Sequence, residues 1–510
     1  SEPCLFLDDA HILGARKLSR RLHPLQKRND PLSFPLPESL MESCQVVSIV
    51  PAPDGRSFLV YASGEHRNKI LYAVFRTSDG VTFEPVVLDQ VPSERVWDGV
   101  PAGSRPEHNN VLLFDRVHGS RFPPYYAAFF RVPGDDPFPY RALAINKSPR
   151  PRKAVVLRSK DGLDWEPSPG QIPHVVTFES NAPTYDPFRN RYLCYLRAWD
   201  PPLKPVAGWR KVLLTEGITE AGVLRWTPDE LVLAANEADG AAADIYYMQV
   251  FGYAAGYVGI PVLYHRASSL DPEKSGRFYG ELATSSDART WRRVAQGQPL
   301  LAPGAPGAWD YGLVGPSAGP VVIDGQLVFY YWGRRQTHDE PLPPDVRTQA
   351  GAATLRLDGF VSMDAGPEEG TLLTTPLWPA GKHLYVNADA RGGEIRVEVL
   401  QDYTYVELKQ FDRPESLRGL FRKESCTPIT SDAVAHRVEW KHGENFADSF
   451  PAGWNQPRGD LGKMRDFSRR AIALKFTMRN ARLYSFWFAD GPAPAAVGRI
   501  VPAERRAAKR

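Results

Sequence analysis

Short blocks of apolar residues recur along most of the chain, and glycine, proline, asparagine and aspartate separate them. Runs of strong helix formers are scarce, so this pattern predicts a mainly β protein. Five blocks are rich enough in aromatic and β-branched residues to be buried central strands, and each follows a turn-like segment. They cover residues 55–63, 123–132, 190–199, 256–265 and 325–333.

A hairpin motif repeats three times between these blocks. It reads Ser or Thr, any residue, Asp, Gly or Ala, two residues, then Trp or Phe, and occurs at 77–83, 159–165 and 285–291. The Asp side chain suits a tight turn because it accepts hydrogen bonds from nearby backbone amides, and the aromatic residue can pack back onto the sheet. We therefore assign structural roles to Asp79, Asp161 and Asp287.

Five central strands with repeated hairpins predict five blades of about four strands each. This predicts a β-propeller over residues 1–354. From residue 355 onward, short alternating strands between glycine, aspartate and asparagine turns are typical of a β-sandwich. The segment "RAIALKF" (470–476) has an alternation that suits a strand as well as a helix. The predicted fold class is all-β, a five-bladed β-propeller followed by a β-sandwich domain at 355–510.

Composition excludes several classes of function. The 510 residues are 43% hydrophobic and 24% charged, with a net charge of +3, as in ordinary globular proteins. The basic segments lack aromatic interleaving, so we expect no nucleic-acid partner, and no apolar run is long enough to span a membrane. We expect no cofactor and no metal site, since Cys4, Cys44, Cys194 and Cys426 are widely spaced. Pairing of Cys4 with Cys44 is left open, as is the oligomeric state.

No signal peptide opens the chain, which begins "SEPCLFLDD". We nevertheless expect a secreted or periplasmic protein whose leader is absent from this chain.

Polar residues precede the central strands, where a propeller would bring them to one channel. Carboxylates facing each other across a channel suit glycoside hydrolysis, in which one protonates the leaving oxygen and the other attacks or activates water. Amides can bind sugar hydroxyls, and aromatic rings can stack on the sugar. The candidates are Glu107, Asn109, Asn110, Glu179, Asn181, Asp244 and Asp310, with Tyr246, Trp309, Arg334 and His338 beside them.

Each candidate also has a structural interpretation. Asp310 could cap its own loop, Asn109 and Asn110 could form a turn, and clustered carboxylates also serve structural networks. Asp186, in "YDPFRN" (185–190), is followed by proline and is assigned to a turn. Because that turn lies several residues after "FESN" (178–181), we interpret Glu179 and Asn181 as pocket residues.

Taken together, the motifs resemble a group of bacterial glycosidase-like proteins, and the resemblance covers nearly the whole chain. They are the repeated hairpins, "NN" (109–110), "ESNAPTYD" (179–186), "WDYG" (309–312) and "RLDGFVSMDAG" (356–366). That group is similar to the five-bladed invertases and fructanases and, more distantly, to arabinanases and xylosidases. The resemblance implies that Glu179 stands nearest the stabilising aspartate, Asp244 nearest the catalytic acid, and Asp310 nearest a substrate contact.

The sequence departs from the invertase motifs. "RNDPLSF" (28–34) only superficially matches the nucleophile motif, and Asp30 is therefore given no catalytic role.

We expect an exo-acting glycoside hydrolase on a carbohydrate substrate, with Asp244 as general acid and Glu179 as nucleophile, base or stabiliser. Asn109, Asn110, Asn181 and Asp310 would bind the sugar. Two alternatives remain: a carbohydrate-binding propeller without turnover, and a polysaccharide lyase or sialidase-like enzyme. A sialidase would need three converging arginines, and Arg197 and Arg334 lack a clear third.

Overall fold

The fold is described from a computed structural model. It describes residues 2–35, 43–66, 69–91, 107–112, 126–132, 134–145, 152–172, 174–176, 179–199, 208–266, 274–341, 343, 346–379, 381, 383–401, 421–441 and 472–490. Within these residues the only helix is the three-residue 3-10 turn Glu237–Asp239. The all-β class is therefore confirmed. No helix in the described part of the chain is long and apolar enough to cross a membrane.

The chain separates into two compact units. The large unit contains residues 24–355, and the small unit contains residues 1–23 together with 356–500. The first four strands are β1 (Cys4–Leu5), β2 (Ile12–Arg16), β3 (Leu18–Leu22) and β4 (Gln26–Lys27). Of these, β4 belongs to the large unit and the other three to the small unit.

Five antiparallel sheets build the large unit. Sheet 1 contains β5 (Ser43–Pro51), β6 (Phe58–His66), β7 (Lys69–Thr77) and β8 (Glu84–Pro85). Sheet 2 contains β9 (Tyr126–Arg131), β10 (Tyr140–Ile145), β11 (Arg152–Ser159) and β12 (Glu166–Pro167), with β13 (His174–Val176) on β11. Sheet 3 contains β14 (Glu179–Asp186), β15 (Arg191–Trp199), β16 (Arg210–Glu220) and β17 (Val223–Trp226), with β18 (Glu230–Ala234) on β16.

The last two sheets follow the same order. Sheet 4 contains β19 (Ala243–Tyr253), β20 (Gly256–His265), β22 (Leu282–Ser285) and β23 (Arg292–Val294), with β21 (Phe278–Gly280) on β20. Sheet 5 contains β24 (Leu313–Ile323), β25 (Gln326–Arg334) and β26 (Gln349–Arg356), and β4 completes it from the other end of the unit.

The first strands of the five sheets contact one another in cyclic order. β5 contacts β9, β9 contacts β14, β14 contacts β19, β19 contacts β24, and β24 contacts β5. Apolar cores lie between consecutive sheets in the same order, including a core between sheets 5 and 1. Burial of these cores holds each sheet against its two neighbours.

The repeated hairpins fasten consecutive sheets together. Asp79, Asp161 and Asp287 each accept backbone N–H bonds within their own turn, as predicted. Each turn also receives a buried tyrosine hydroxyl from the preceding sheet. Tyr330 donates to Gly80 O at 2.7 Å, Tyr61 to Gly162 O at 2.7 Å, and Tyr195 to Ala288 O at 2.8 Å. The motif therefore closes a hairpin and docks it.

Four of the five predicted central strands are second strands of their sheets, namely β6, β15, β20 and β25. Only the block at 123–132 contains a first strand, β9. The other first strands lie in the preceding segments, which read as less apolar because they carry Ser, Gln, Glu, Asn and Pro. The turn assigned to Asp186 is present, since its Oδ1 accepts from the amides of Phe188 and Arg189 at 2.9 and 3.2 Å.

Two sheets build the small unit. The later strands are β27 (Val361–Ala365), β28 (Gly370–Thr374), β29 (His383–Asp389), β30 (Glu394–Gln401), β31 (Asp432–Arg437), β32 (Ile472–Arg479) and β33 (Ala481–Ala489). One sheet has the order β3-β27-β33-β29-β31 with β1 on β33, and the other has the order β2-β28-β32-β30. The segment at 470–476 suits a strand as well as a helix by its sequence. Its described residues, 472–476, lie in strand β32.

Residues 1–23 do not lie with the sheets of the large unit, to which the sequence assigned them. The reason is strand pairing, because β1 pairs with β33, β2 with β28, and β3 with β27. The four cysteines all lie in the described residues and none forms a disulfide there, so no disulfide joins Cys4 to Cys44. Burial raises the pKa of the Cys4 thiol to about 12.

Candidate active site

Four of the five first strands in the ring carry a β-bulge at an equivalent position. In each, one residue is left over between two pairs with the second strand, and these extra residues are Val47, Asn181, Tyr246 and Ser317. A bulge bends its strand and redirects a side chain, and bulges are frequent next to active sites. Two predicted site residues, Asn181 and Tyr246, occupy these positions.

The residues two places before each bulge are equivalent too, and two of them are acidic. They are Gln45, Glu179, Asp244 and Gly315, paired with Ser63, Arg197, Tyr264 and Trp332 of the second strands. β14 and β19 contact each other, so Glu179 and Asp244 stand on adjacent first strands, each two residues before the bulge. The side chains of Glu179 and Asn181 lie outside the described residues.

Asp244 is fully buried and interacts with two arginines. Its Oδ2 accepts from Arg210 Nη1 at 2.9 Å, and its Oδ1 accepts from the Arg210 amide at 3.3 Å. Arg266 Nη1 lies 3.6 Å from Oδ1. Burial raises the pKa of the Asp244 carboxyl above its ordinary value, against the lowering effect of Arg266 and Arg210. A carboxyl with a raised pKa suits a general acid.

Aromatic and cationic side chains surround Tyr246 on β19. The Arg197 guanidinium carbon lies 4.2 Å from the centroid of the Tyr246 ring, and that of Arg210 lies 5.4 Å from it. Arg210 also stands 5.0 Å from the centroid of Tyr264. We call the group the Tyr246 cluster, and it comprises Arg197, Arg210, Tyr246, Tyr264, Phe278, Arg334, His338 and Asp339.

His338 closes this cluster from the segment after β25. Its Nε2 lies 3.2 Å from Tyr246 Oη, and its Nδ1 lies 3.1 Å from Asp339 Oδ1. The Tyr264 hydroxyl donates to the same Asp339 oxygen. Burial lowers the pKa of His338 below its ordinary value, although Asp339 raises it. A neutral His338 ring can donate its Nδ1–H to the Asp339 carboxylate. Its Nε2 then accepts a hydrogen bond from the Tyr246 hydroxyl.

Arg334, at the end of β25, has a side-chain donor without an acceptor among the described residues. Its Nε is buried and has no hydrogen-bond partner among the described residues. Burial lowers the pKa of the Arg334 guanidinium, while Tyr246 raises it. The Arg334 charge in turn lowers the pKa of His338. Ser317 Oγ, at the bulge of β24, is another buried atom without a hydrogen-bond partner among the described residues.

The structure brings together four of the predicted site residues with described side chains: Asp244, Tyr246, Arg334 and His338. Trp309 and Asp310 form a different group within sheet 5. Asp310 Oδ2 accepts from Lys27 Nζ at 2.6 Å and from the Tyr331 hydroxyl at 3.0 Å. Trp309 stacks on Tyr331 and donates to Asn29 O at 3.1 Å. These contacts hold the N-terminal strand β4 on its sheet.

Asn109 and Asn110 run beside β7 in sheet 1. Asn110 Nδ2 donates to Val74 O at 2.9 Å, and the Asn110 carbonyl accepts from the Val74 amide at 2.9 Å. Asn109 Nδ2 donates to Val91 O at 2.9 Å. Glu107 is exposed, next to these two residues. In the part of the chain that the structure describes, no hydrogen bond joins Asn109 or Asn110 to the Tyr246 cluster. The two asparagines extend the edge of the sheet.

Sequence reasoning missed Arg210, Tyr264, Phe278 and Asp339. Arg210 lies on β16 and Phe278 on β21, and both strands pair with the second strand of their sheet. The predicted site residues were instead sought in the segments before the central blocks. Tyr264 could have been found as the residue opposite Asp244 once the pairing of β19 and β20 was known. Among the described residues, no group of three or more His, Cys, Asp or Glu side chains could hold a metal ion.

Neither a protein-family model nor a curated protein matches this sequence. Among solved structures, the chain is similar to a glycosyl hydrolase from Bacteroides ovatus, with 10% identity, a TM-score of 0.40 and coverage of 66% of this chain and 94% of the other. It is also similar to an α-L-arabinofuranosidase from Podospora anserina, with 11% identity, a TM-score of 0.39 and coverage of 65% and 97%. It is similar as well to the catalytic domain of a Coprinopsis cinerea α-L-arabinofuranosidase, with 11% identity, a TM-score of 0.39 and coverage of 65% of this chain and 97% of the other.

Glycoside hydrolases are thus among the solved structures to which this chain is similar.

Proposed function

We propose that this chain is a glycoside hydrolase whose catalytic unit is a five-bladed β-propeller formed by sheets 1 to 5. The cyclic contacts of the first strands and the apolar cores between consecutive sheets support this arrangement. The two sheets of the small unit would form a β-sandwich. The substrate would be a carbohydrate, cleaved from a chain end, and the protein would act outside the cytoplasm.

One observation carries the proposal: two carboxylates occupy equivalent positions on adjacent first strands. Glu179 and Asp244 each stand two residues before a bulge, on strands that contact each other. Glycoside hydrolases need two carboxyl groups on either side of the scissile bond, one of them with a raised pKa. Asp244, with its raised pKa, would be the general acid, and Glu179 the nucleophile, base or stabiliser.

The surrounding residues would position the sugar. Tyr246 offers an aromatic face beside Asp244, and His338 and Arg334 provide hydrogen bonds and charge at the same place. Asn181 occupies the bulge position of the neighbouring strand. The contacts of Asn109, Asn110, Trp309 and Asp310 favour structural roles for these four residues.

The test compares wild type with Glu179→Gln and Asp244→Asn on a panel of furanosides, pyranosides and plant or bacterial glycans. Loss of a catalytic acid or base lowers turnover about 10²- to 10⁴-fold, so both variants should lose most sugar release. The matched control is Asp324→Asn. Asp324 is exposed in the β24–β25 turn at a φ of +49°, which asparagine tolerates.

Folding is checked by circular dichroism, because Asp244→Asn leaves two arginines without their carboxylate partner. Glu179→Gln keeps the Asp244 carboxylate, so it keeps the test decisive if Asp244→Asn unfolds. Full turnover in a folded Glu179→Gln variant would remove Glu179 from the mechanism. Full turnover in both variants would refute the proposed site.

A second candidate function is carbohydrate binding without turnover. The observation that favours it is that both Asp244 oxygens interact with arginine groups, as in a structural ion pair. Binding of a glycan without release of sugar by wild-type protein would support this candidate.

A further inference from the structure

The Tyr246 cluster contains more positive than negative charge among its described side chains. Arg197 and Arg210 stand over the Tyr246 ring, and Arg334 pairs with Leu313, which shares an apolar core with Tyr264 and Phe278 against which Tyr246 packs. Arg210 is neutralised by Asp244 through the 2.9 Å ion pair. The carboxylate that belongs to the cluster itself, Asp339, accepts from Tyr264 and lies beside His338.

Arg334 is the member without a protein anion. Within the described residues no carboxylate lies at ion-pair distance from its guanidinium group, and its buried Nε has no acceptor. Leaving a buried charged donor without an acceptor is costly, so such a group normally has a partner. Arginine is also the side chain whose planar fork matches carboxylate and sulfate-like oxyanions, through charge-assisted hydrogen bonds.

The surroundings of Arg334 fit a sugar that carries such an anion. Tyr246 provides a half-buried aromatic ring that packs on the buried rings of Tyr264 and Phe278, with ring centroids 4.5 to 5.8 Å apart. The acidic residue Asp244 belongs to the same place through Arg210, which contacts both Asp244 and the Tyr246 ring. A sugar lying against the Tyr246 ring would bring an anionic substituent to Arg334.

We propose that the Tyr246 cluster binds the anionic group of an acidic sugar, with Arg334 as the direct contact. The group is an oxyanion, either the carboxylate of a uronic acid or a sulfate ester. This inference rests on the proposed function, since it names the class of substrate for that site. It predicts that neutral sugars are the poorer ligands.

Isothermal titration calorimetry tests this with methyl glycosides of glucose, galactose and mannose. Each neutral glycoside is compared with its uronic acid and its 6-sulfate at equal ionic strength. We expect at least one acidic glycoside to bind about 10-fold or more tightly than its neutral counterpart, since hydrogen bonds between charged groups are stronger than those between neutral groups. Tighter binding of the uronic acid identifies a carboxylate as the ligand group, and tighter binding of the sulfate identifies a sulfate ester.

Variants of Arg334 assign the effect to this residue. Arg334→Gln should weaken binding of the preferred acidic glycoside about 10- to 100-fold and leave the neutral one little changed. Arg334→Lys keeps the charge but loses the fork, so it should retain part of the preference. The control is Arg225→Gln, because Arg225 is exposed on the outer strand β17 and should not affect binding.

Equal affinity for acidic and neutral glycosides would overturn the inference, as would binding of none of the acidic probes. An equal loss for both ligands in Arg334→Gln would also overturn it. Turnover of the same glycosides separates this inference from the proposed function. Acid-selective binding without turnover keeps the inference and contradicts the hydrolase. Turnover of neutral glycosides without acid preference contradicts the inference alone.

Discussion

Arg210 links the predicted acid Asp244 to the aromatic part of the site. It donates two hydrogen bonds to the carboxylate, and its guanidinium stands over the rings of Tyr246 and Tyr264. In the proposed function, a single residue would thus connect proton transfer with the binding of the sugar. Arg210 lies at the start of β16.

Changing Arg210 should move the alkaline limb of the pH–rate profile. A general acid must be protonated, so the rate falls as the pH rises through the pKa of Asp244. Burial raises that pKa, whereas Arg266 and Arg210 lower it. Arg210→Gln removes a lowering effect, so the limb should move to higher pH by about 1 unit. Arg210→Lys keeps a positive charge and should move it less.

The measurement is kcat/KM against pH on the substrate that the panel identifies. A limb that stays at the same pH in Arg210→Gln would show that Asp244 is not the group whose protonation limits the rate. A shift to lower pH would contradict the sign of the Arg210 effect.

At the level of the elements, the docked hairpin is the motif that repeats within the large unit. Tyr61 is fully buried on β6, and its hydroxyl donates at 2.7 Å to Gly162 O in the turn that follows β11. Gly162 has a φ of +83°, and an added Cβ would lie 2.7 Å from that hydroxyl. Glycine therefore suits both the backbone conformation of this turn and the approach of tyrosine, while Ala288 adopts a φ of +64° at the equivalent position of the turn at 285–291.

Tyr61→Phe should lower the stability of the large unit. The substitution leaves the buried Gly162 carbonyl without its hydrogen bond, which costs about 1–3 kcal/mol, and the change should appear in urea unfolding followed by fluorescence. Tyr385→Phe is the control, because no hydrogen bond of the Tyr385 hydroxyl is present in the described residues. Unchanged stability in Tyr61→Phe would mean that apolar packing alone holds this hairpin.

The hairpins could be predicted from sequence because the hydrogen bonds that close each turn are local. Asp79, Asp161 and Asp287 bond amides two and three residues away, so spacing alone is sufficient. The bulges could not, because a bulge exists only relative to the partner strand. Tyr246 looks like any strand residue until β19 is aligned with β20. Asp310 was interpreted as a sugar contact because its partner Lys27 lies 283 residues away.

At the scale of the whole molecule, the order of the strands in the sequence differs from their order in space. β4, near the start of the large unit, completes sheet 5 by pairing with β26, near its end. β1, β2 and β3 complete the two sheets of the small unit. Local patterns cannot reveal such pairings, since they join strands more than 300 residues apart. This is why residues 1–23 were assigned to the first domain.

Removing residues 1–23 should therefore destabilise the small unit and spare the large one. The truncated chain loses β1, β2 and β3, so β27 and β28 become edge strands with unpaired backbone groups. Calorimetry of the full chain should resolve one transition for each unit, and truncation should lower or abolish only that of the small unit. Expression of residues 356–500 should likewise give folded protein only when residues 1–23 are supplied. Loss of the large unit's transition instead would mean that these 23 residues are needed for sheets 1 to 5, contrary to the strand pairing.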